Sequence, residues 1–140
     1  MSLAMTRDQR EAFLADVHVG VLGVARPDGP PSLTPVWYRY VDGVVEIATS
    51  SDTAKLDLIR ASGVASLCAQ FEGTPPAFVT VEGPASVSSI REGVVEAIAA
   101  RYLGAEAAAV YAAGPGRRDD TLITLQVARW RTGDFSKVMG

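Results

Sequence analysis

A strand end that runs into hydroxyl residues and a lysine at a helix start is a combination that binds phosphate. Thr49-Ser50-Ser51-Asp52-Thr53-Ala54-Lys55 has that form. The first amides of a helix lack intrahelical acceptors, and the helix dipole is positive there. Lys55 adds a point charge, and the hydroxyls of Thr49, Ser50 and Thr53 add donors. The same residues equally make a plain capped surface helix, with Asp52 as N-cap and the lysine in solvent, and residue physics alone favours that reading. Other reactive groups are sparse. Cys68 is the only cysteine and His18 the only histidine, which excludes an intrachain disulfide and any Cys/His-clustered metal site. Cys68 falls in mid-strand and is expected as an inert buried thiol, and His18 as a packed or edge histidine. Trp37, Tyr38 and Tyr40 suit a core or a stacking surface. Trp130, between Arg129 and Arg131, suits an interface anchor or a wall of a ligand site. Gly114 to Arg118 reads as a solvated connector. Neither a Gly-rich nucleotide fingerprint nor a carboxylate pair occurs, so no catalytic side chain is singled out.

The elements that must position these residues fit one domain, 1–140, in a chain of 14.7 kDa. A hydrophobic content of 48% with 21% charged residues is globular and excludes a disordered chain. A net charge of −3 and a pI near 5.1 give no support to nucleic-acid or anionic-membrane binding. The longest apolar run, Ala107 to Gly116, is too short to span a bilayer, so a cytoplasmic location is expected. Residues 1–5 are set apart as a disordered or cloning-derived leader.

Thr6-Arg7-Asp8-Gln9 forms a capping box that opens a helix to about Asp16. Val17 to Ala25 alternates apolar residues on both faces and predicts a strand buried on both sides. Arg26-Pro27-Asp28-Gly29 is a turn, Ser32 to Tyr40 a second strand, and Asp42-Gly43 a hairpin turn into a third, Val44 to Thr49. A helix over Lys55 to Ala61 follows, then strands Val64 to Phe71 and Ala77 to Ser88. Gly83-Pro84 predicts a bulge or bend. Ser89-Ile90-Arg91-Glu92 reads as a second capping box, before a helical stripe of Val94, Val95, Ile98, Ala99, Tyr102 and Leu103. A short helix over Ala105 to Ala112 and a long last strand, Thr121 to Arg131, complete the chain. The expected fold is α+β: a six-stranded antiparallel split β-barrel of Greek-key type with three or four small flanking helices.

In that order, Arg26-Pro27-Asp28-Gly29, Thr34-Pro35-Val36-Trp37-Tyr38, Asp42-Gly43 and Thr49 to Lys55 resemble the flavin-binding split-barrel superfamily. This group includes pyridoxamine 5′-phosphate oxidase and the deazaflavin (F-420)-dependent reductases of actinobacteria. The resemblance runs from about Val17 through Gly83 and is most specific at Pro35-Val36-Trp37 and Thr53-Ala54-Lys55. It implies that Lys55 and the hydroxyls before it hold a cofactor phosphate. It also implies that the strand at Val36-Trp37 lies along the flavin-type ring and that a second subunit completes the site. The implied cofactor-binding set is Pro35, Val36, Trp37, Thr49, Ser50, Thr53, Ala54 and Lys55. Ser51, Ala54 and Asp57 stand where many relatives carry basic residues, which leaves one lysine at the phosphate. The C-terminal signature of vitamin B6 oxidases, with its Arg-x-His, is missing, so that activity is not expected.

The resemblance thus implies an oxidoreductase moving hydride between the cofactor and a planar unsaturated small molecule. It implies F-420 ahead of FMN, and a homodimer with a shared cofactor site. Two alternatives stand beside it. One is an FMN-binding relative of pyridoxamine phosphate oxidase; the other is a non-catalytic module for a flavin, haem or tetrapyrrole.

Overall fold

The computed structural model describes residues 2–51, 53–115 and 120–139. Helix α1 (Arg7–Ala15) starts on the expected capping box: Thr6 Oγ1 accepts from the Gln9 amide at 3.2 Å, and Gln9 Oε1 accepts from the Thr6 amide at 2.9 Å. Strands β1 (Gly20–Arg26) and β2 (Gly29–Val36) form a hairpin across Pro27-Asp28. β2 carries Pro30, Pro31 and Pro35, and it lies at the sheet edge, where a strand tolerates residues without an N–H. Strands β3 (Arg39–Val41) and β4 (Val44–Thr49) join through Asp42-Gly43, whose φ values of 48° and 82° suit a primed hairpin turn. Helix α2 (Ala54–Ser62) ends at Gly63 in the left-handed region. Next come β5 (Val64–Phe71), β6 (Ala77–Ser89), helices α3 (Val94–Leu103) and α4 (Ala105–Ala112), and strands β7 (Thr121–Gln126) and β8 (Arg129–Asp134).

The fold is α+β and antiparallel, with eight strands among the described residues where six were expected. Two expected strands break. The second breaks at Trp37-Tyr38, where the chain leaves β1 and joins β4. Tyr38 is fully buried at this crossing; its hydroxyl donates to the Leu14 carbonyl at 2.8 Å. The last breaks at Val127-Ala128, because β7 and β8 pair with different halves of β6. β6 is therefore common to two sheets, β2-β1-β5-β6-β8 and β3-β4-β7-β6.

The bend expected at Gly83-Pro84 is present. Two residues of β6 between Glu82 and Ala85 face three between Leu125 and Arg129, a one-residue bulge. A Cβ on Gly83 would stand 1.9 Å from the Gln126 carbonyl oxygen, so glycine is what lets the strands close here.

Between the sheets lies one core, in which Leu22, Ile47, Leu56, Ile59, Leu67 and Leu125 are all essentially inaccessible. Each such side chain contributes about 1.5–3 kcal/mol relative to exposure. The outer face of β4–β7 is covered by α3: Val94 and Ile98 pack on Leu122, with Ala48, Trp37 and Tyr102 around them. This is why Leu122 and Ile123, successive residues of β7, are both buried.

Two local expectations are corrected. The first strand starts at Gly20, not Val17, and is buried on one face only: Gly20, Leu22 and Val24 are buried, whereas Val21 is 38% exposed, because among the described residues no layer of this chain covers that face. Ser89 does not cap α3, since it pairs with Thr121 as the last residue of β6, and Gly93 occupies the N-cap. Residues 2–5, set apart as a leader, are fastened to the C-terminal strand. Asp134 donates its amide to the Leu3 carbonyl at 2.8 Å, and Met5 donates to Thr132 Oγ1 at 2.9 Å. Asp52, expected as the α2 N-cap, and Gly116 to Arg118 of the expected connector lie outside the described residues. No helix of the described residues is long and apolar enough to cross a membrane.

Candidate functional site

The crossing at Trp37, the end of β4 and the start of α2 meet at one cavity of about 310 Å³. β2 contributes Pro35 and Val36, with Trp37 following it; β4 contributes Ala48 and Thr49, and α2 contributes Lys55. Its far side is α3, through Val95, Ile98 and Ala99, with Tyr111 of α4. Val19 and Asp120 complete it, each just ahead of a strand.

Of the eight residues implied as cofactor-binding, Pro35, Val36, Trp37, Thr49 and Lys55 line this cavity, although up to twenty residues of chain separate them. Ser50, Thr53 and Ala54 do not line it; they form the loop and first turn at its edge. Thr53 is the N-cap of α2, but its side chain makes no capping bond to the helix amides; its hydroxyl instead donates to the Ser50 carbonyl at 3.4 Å. The nine-residue helix thus presents its first amides without a side-chain acceptor from its cap.

Lys55 is half-buried, and burial alone holds its ammonium below the usual lysine pKa. None of the ion pairs among the described residues involves it. A partly desolvated cation with no ion-pair partner among the described residues gains from an incoming anion, which distinguishes this lysine from a solvated surface one.

Trp37 is held by its neighbours. Its ring stacks on Tyr102 of α3 at 4.9 Å and 8°, and tilts against Tyr111 at 5.6 Å and 47°. Tyr102 also ties the backbone: its hydroxyl accepts from the Tyr38 amide at 3.0 Å and donates to the His18 carbonyl at 2.7 Å. The α3 helix is anchored at its other end by Glu46 of β4, which accepts from Arg39 Nε at 2.7 Å and Arg91 Nη2 at 2.6 Å. Burial alone would raise the Glu46 carboxyl, but the hydrogen bonds and charges of Arg91 and Arg39 outweigh it and hold the pKa below the usual value.

Trp130 is away from the cavity. It packs against the core, with Arg10 over its ring at 4.6 Å and Tyr40 edge-on at 6.0 Å. His18 stacks on Phe13 at 4.3 Å, and Cys68 is half-exposed where a buried thiol was expected.

The cavity residues missed by sequence reasoning come mainly from α3, α4 and the start of β7. The α3 stripe was visible in the spacing of Val94, Val95, Ile98 and Ala99, but the face it would cover was not. Asp120 left a weaker trace: once β4 and β7 are neighbours, Thr121 stands opposite Thr49 and the residue before it reaches the cavity.

Apolar walls at Val36, Trp37 and Ile98, ending on Thr49 and Lys55, fit a planar ring that carries a phosphate. Comparisons with known proteins bear on the fold. No curated protein matches the chain. Among solved structures, the conserved hypothetical protein Rv2991 from Mycobacterium tuberculosis superposes with a TM-score of 0.82 at 22% identity, over 99% of this chain and 90% of that one. A FAD and haem binding protein from Mycobacterium smegmatis follows with a TM-score of 0.71 at 15% identity, over 93% and 71%. An F420 reductase has a TM-score of 0.66 at 18% identity, over 86% and 94%. The family model described as pyridoxamine 5′-phosphate oxidase matches residues 6–133, and the chain belongs to that family of flavin-binding split barrels.

Proposed function

We propose that this protein is an oxidoreductase that binds a phosphorylated flavin-type cofactor, the deazaflavin F-420 ahead of FMN. The carrying observation is Lys55, a half-buried ammonium outside every ion pair among the described residues, at the end of an apolar cavity. Lys55, Thr49 and the first turn of α2 would hold the phosphate; Pro35, Val36 and Trp37 would lie along the ring. The bound cofactor supplies hydride chemistry to a planar unsaturated small molecule. The chain's own contribution is position and exclusion of water: α3 walls the ring site, and Tyr102 fixes the Trp37 ring that borders it. The segments Arg26-Pro27-Asp28-Gly29 and Thr34-Pro35-Val36-Trp37 support F-420, as does the likeness to an F420 reductase. The likeness to a FAD and haem binding protein favours a second reading, a binding module without turnover.

A homodimer with a shared site belongs to the same proposal. Trp37 and Trp130 are each partly buried against residues of their own chain. The uncovered surface is aliphatic: Val21, Leu33 and Val64, at 38%, 66% and 50% exposure, share one face of β1, β2 and β5. Pro35 stands opposite Val21 on that face and also lines the cavity, so a partner seated there would cover the cavity mouth.

The test is equilibrium binding of F-420 and FMN to the apo-protein, followed by reduction of dyes and enones with reduced cofactor. F-420 binding tighter than FMN, with turnover, is the expected result. FMN tighter by about tenfold, 1.4 kcal/mol, would reverse the order of cofactors. Binding without turnover would favour the carrier module, and a monomer mass by light scattering at micromolar concentration would remove the shared site.

A further inference from the structure

The outer side of a surface helix ordinarily carries charged residues, yet Glu106 is the one charged residue between Gly104 and Pro115, the stretch that forms α4. Val110 is 74% exposed, and Leu103, the last residue of α3, is 41% exposed. Ala107, Val110 and Tyr111 stand at i, i+3 and i+4 and so share one side of α4. Leu103, Ala107 and Val110 line one open groove. The same side of the helix reaches the ring site, because Tyr111 lines the cavity and tilts against the Trp37 ring at 5.6 Å. Val19, also exposed, adds a second apolar group to the cavity rim. An apolar path thus leads from the cavity mouth onto the outside of α4.

Its size decides what could cover it. A helix of eight residues is about 12 Å long and about 10 Å across, so its outer side offers roughly 120 Å². A stable protein interface takes about 800 Å² from each partner. The path is several-fold too small to seat another protein, but it is long enough for a short alkyl chain. Its continuity with the cavity ties that chain to a ring held beside Trp37.

We propose that the substrate of this site carries an apolar tail, which lies along Leu103, Ala107 and Val110 while its planar ring enters past Tyr111. The inference rests on the oxidoreductase reading above and narrows its planar unsaturated substrate to one with an alkyl substituent.

7-Methoxycoumarin and 7-pentyloxycoumarin test it, since they share one planar unsaturated ring and differ by four methylenes. Both are titrated by equilibrium dialysis into the parent protein and Val110→Asp, with saturating F-420 and without it. Full burial of a methylene is worth about fourfold in affinity. A tail on an open helix face is covered on one side, so about twofold per methylene is expected, and the parent should prefer the pentyloxy ligand by about 10- to 20-fold. Val110→Asp should cut that preference below about threefold, the methoxy ligand with no tail serving as the reference. Equal affinity of the parent for the two ligands overturns the inference, as does a preference that persists in Val110→Asp or a failure of both ligands to bind. Equal affinities together with a sedimentation mass that Val110→Asp lowers would assign this side of α4 to a second copy instead. Should Val110→Asp not fold, Ala107→Asp takes its place. The preference is read by binding alone, so it can hold where the dye and enone assay fails and can vanish where that assay succeeds; the two readings fail separately.

Discussion

Tyr102→Phe removes one oxygen from the junction that holds the cavity together. That hydroxyl accepts from the Tyr38 amide at 3.0 Å and donates to the His18 carbonyl at 2.7 Å, linking α3 to the crossing after β2 and to the approach to β1. The ring-on-ring contact with Trp37 at 4.9 Å survives the substitution, so packing is nearly constant and the hydroxyl is isolated. Losing it leaves an amide and a carbonyl without their partner in a half-buried place, which costs about 1–3 kcal/mol. For a chain of this length that lowers the melting midpoint by about 3–10 °C. Thermal unfolding followed by far-UV circular dichroism reads the shift. An unchanged midpoint would show that water replaces the hydroxyl without cost and that Tyr102 does not fasten α3 to the strands.

Glu46→Gln should destabilise by about 1–3 kcal/mol, below the 3–5 typical of a fully buried pair, because Arg91 is 60% exposed. The folded Glu46 pKa is depressed, so the stabilisation is complete above the ordinary carboxylate pKa of about 4.3 and is lost as pH falls toward the folded value. Urea melts of parent and variant should therefore converge on acidification; a constant gap between pH 7 and pH 3 would refute the ion-pair origin. Gly83→Ala forces a Cβ against the Gln126 carbonyl at the sheet junction and should cost about 1–3 kcal/mol or more, read in the same melts. Equal stability would mean that the bulge relaxes freely.

Local signals were legible where one or two residues dictate backbone geometry. Asp42-Gly43 and Arg26 to Gly29 announced their turns, Thr6 and Gln9 their capping box, and Gly83-Pro84 the bend in β6. Strand ends were legible only where a turn marked them. The alternation through Trp37-Tyr38 and Val127-Ala128 continues unbroken, and the change of partner there is decided by which strand lies alongside. The exposed face of β1 is the converse case: Val21 looks like core, as do Val17 and Val19 ahead of the strand, and no local signal says that nothing among the described residues covers them. Five of the eight implied site residues meet at the cavity because the ends of β2 and β4 and the start of α2 border it together. The walls from α3, with Tyr111 and Asp120, come from packing between distant segments that the sequence does not mark.

Titration of F-420 and FMN into Lys55→Ala beside the parent protein tests the phosphate assignment most directly. Lys55 is outside every ion pair among the described residues and half-exposed, so the melting midpoint should not move. A charge-assisted bond contributes about 1.5–3 kcal/mol, so cofactor affinity should fall by about 10- to 100-fold. Equal affinity in the folded variant and the parent would contradict the assignment and place the phosphate elsewhere.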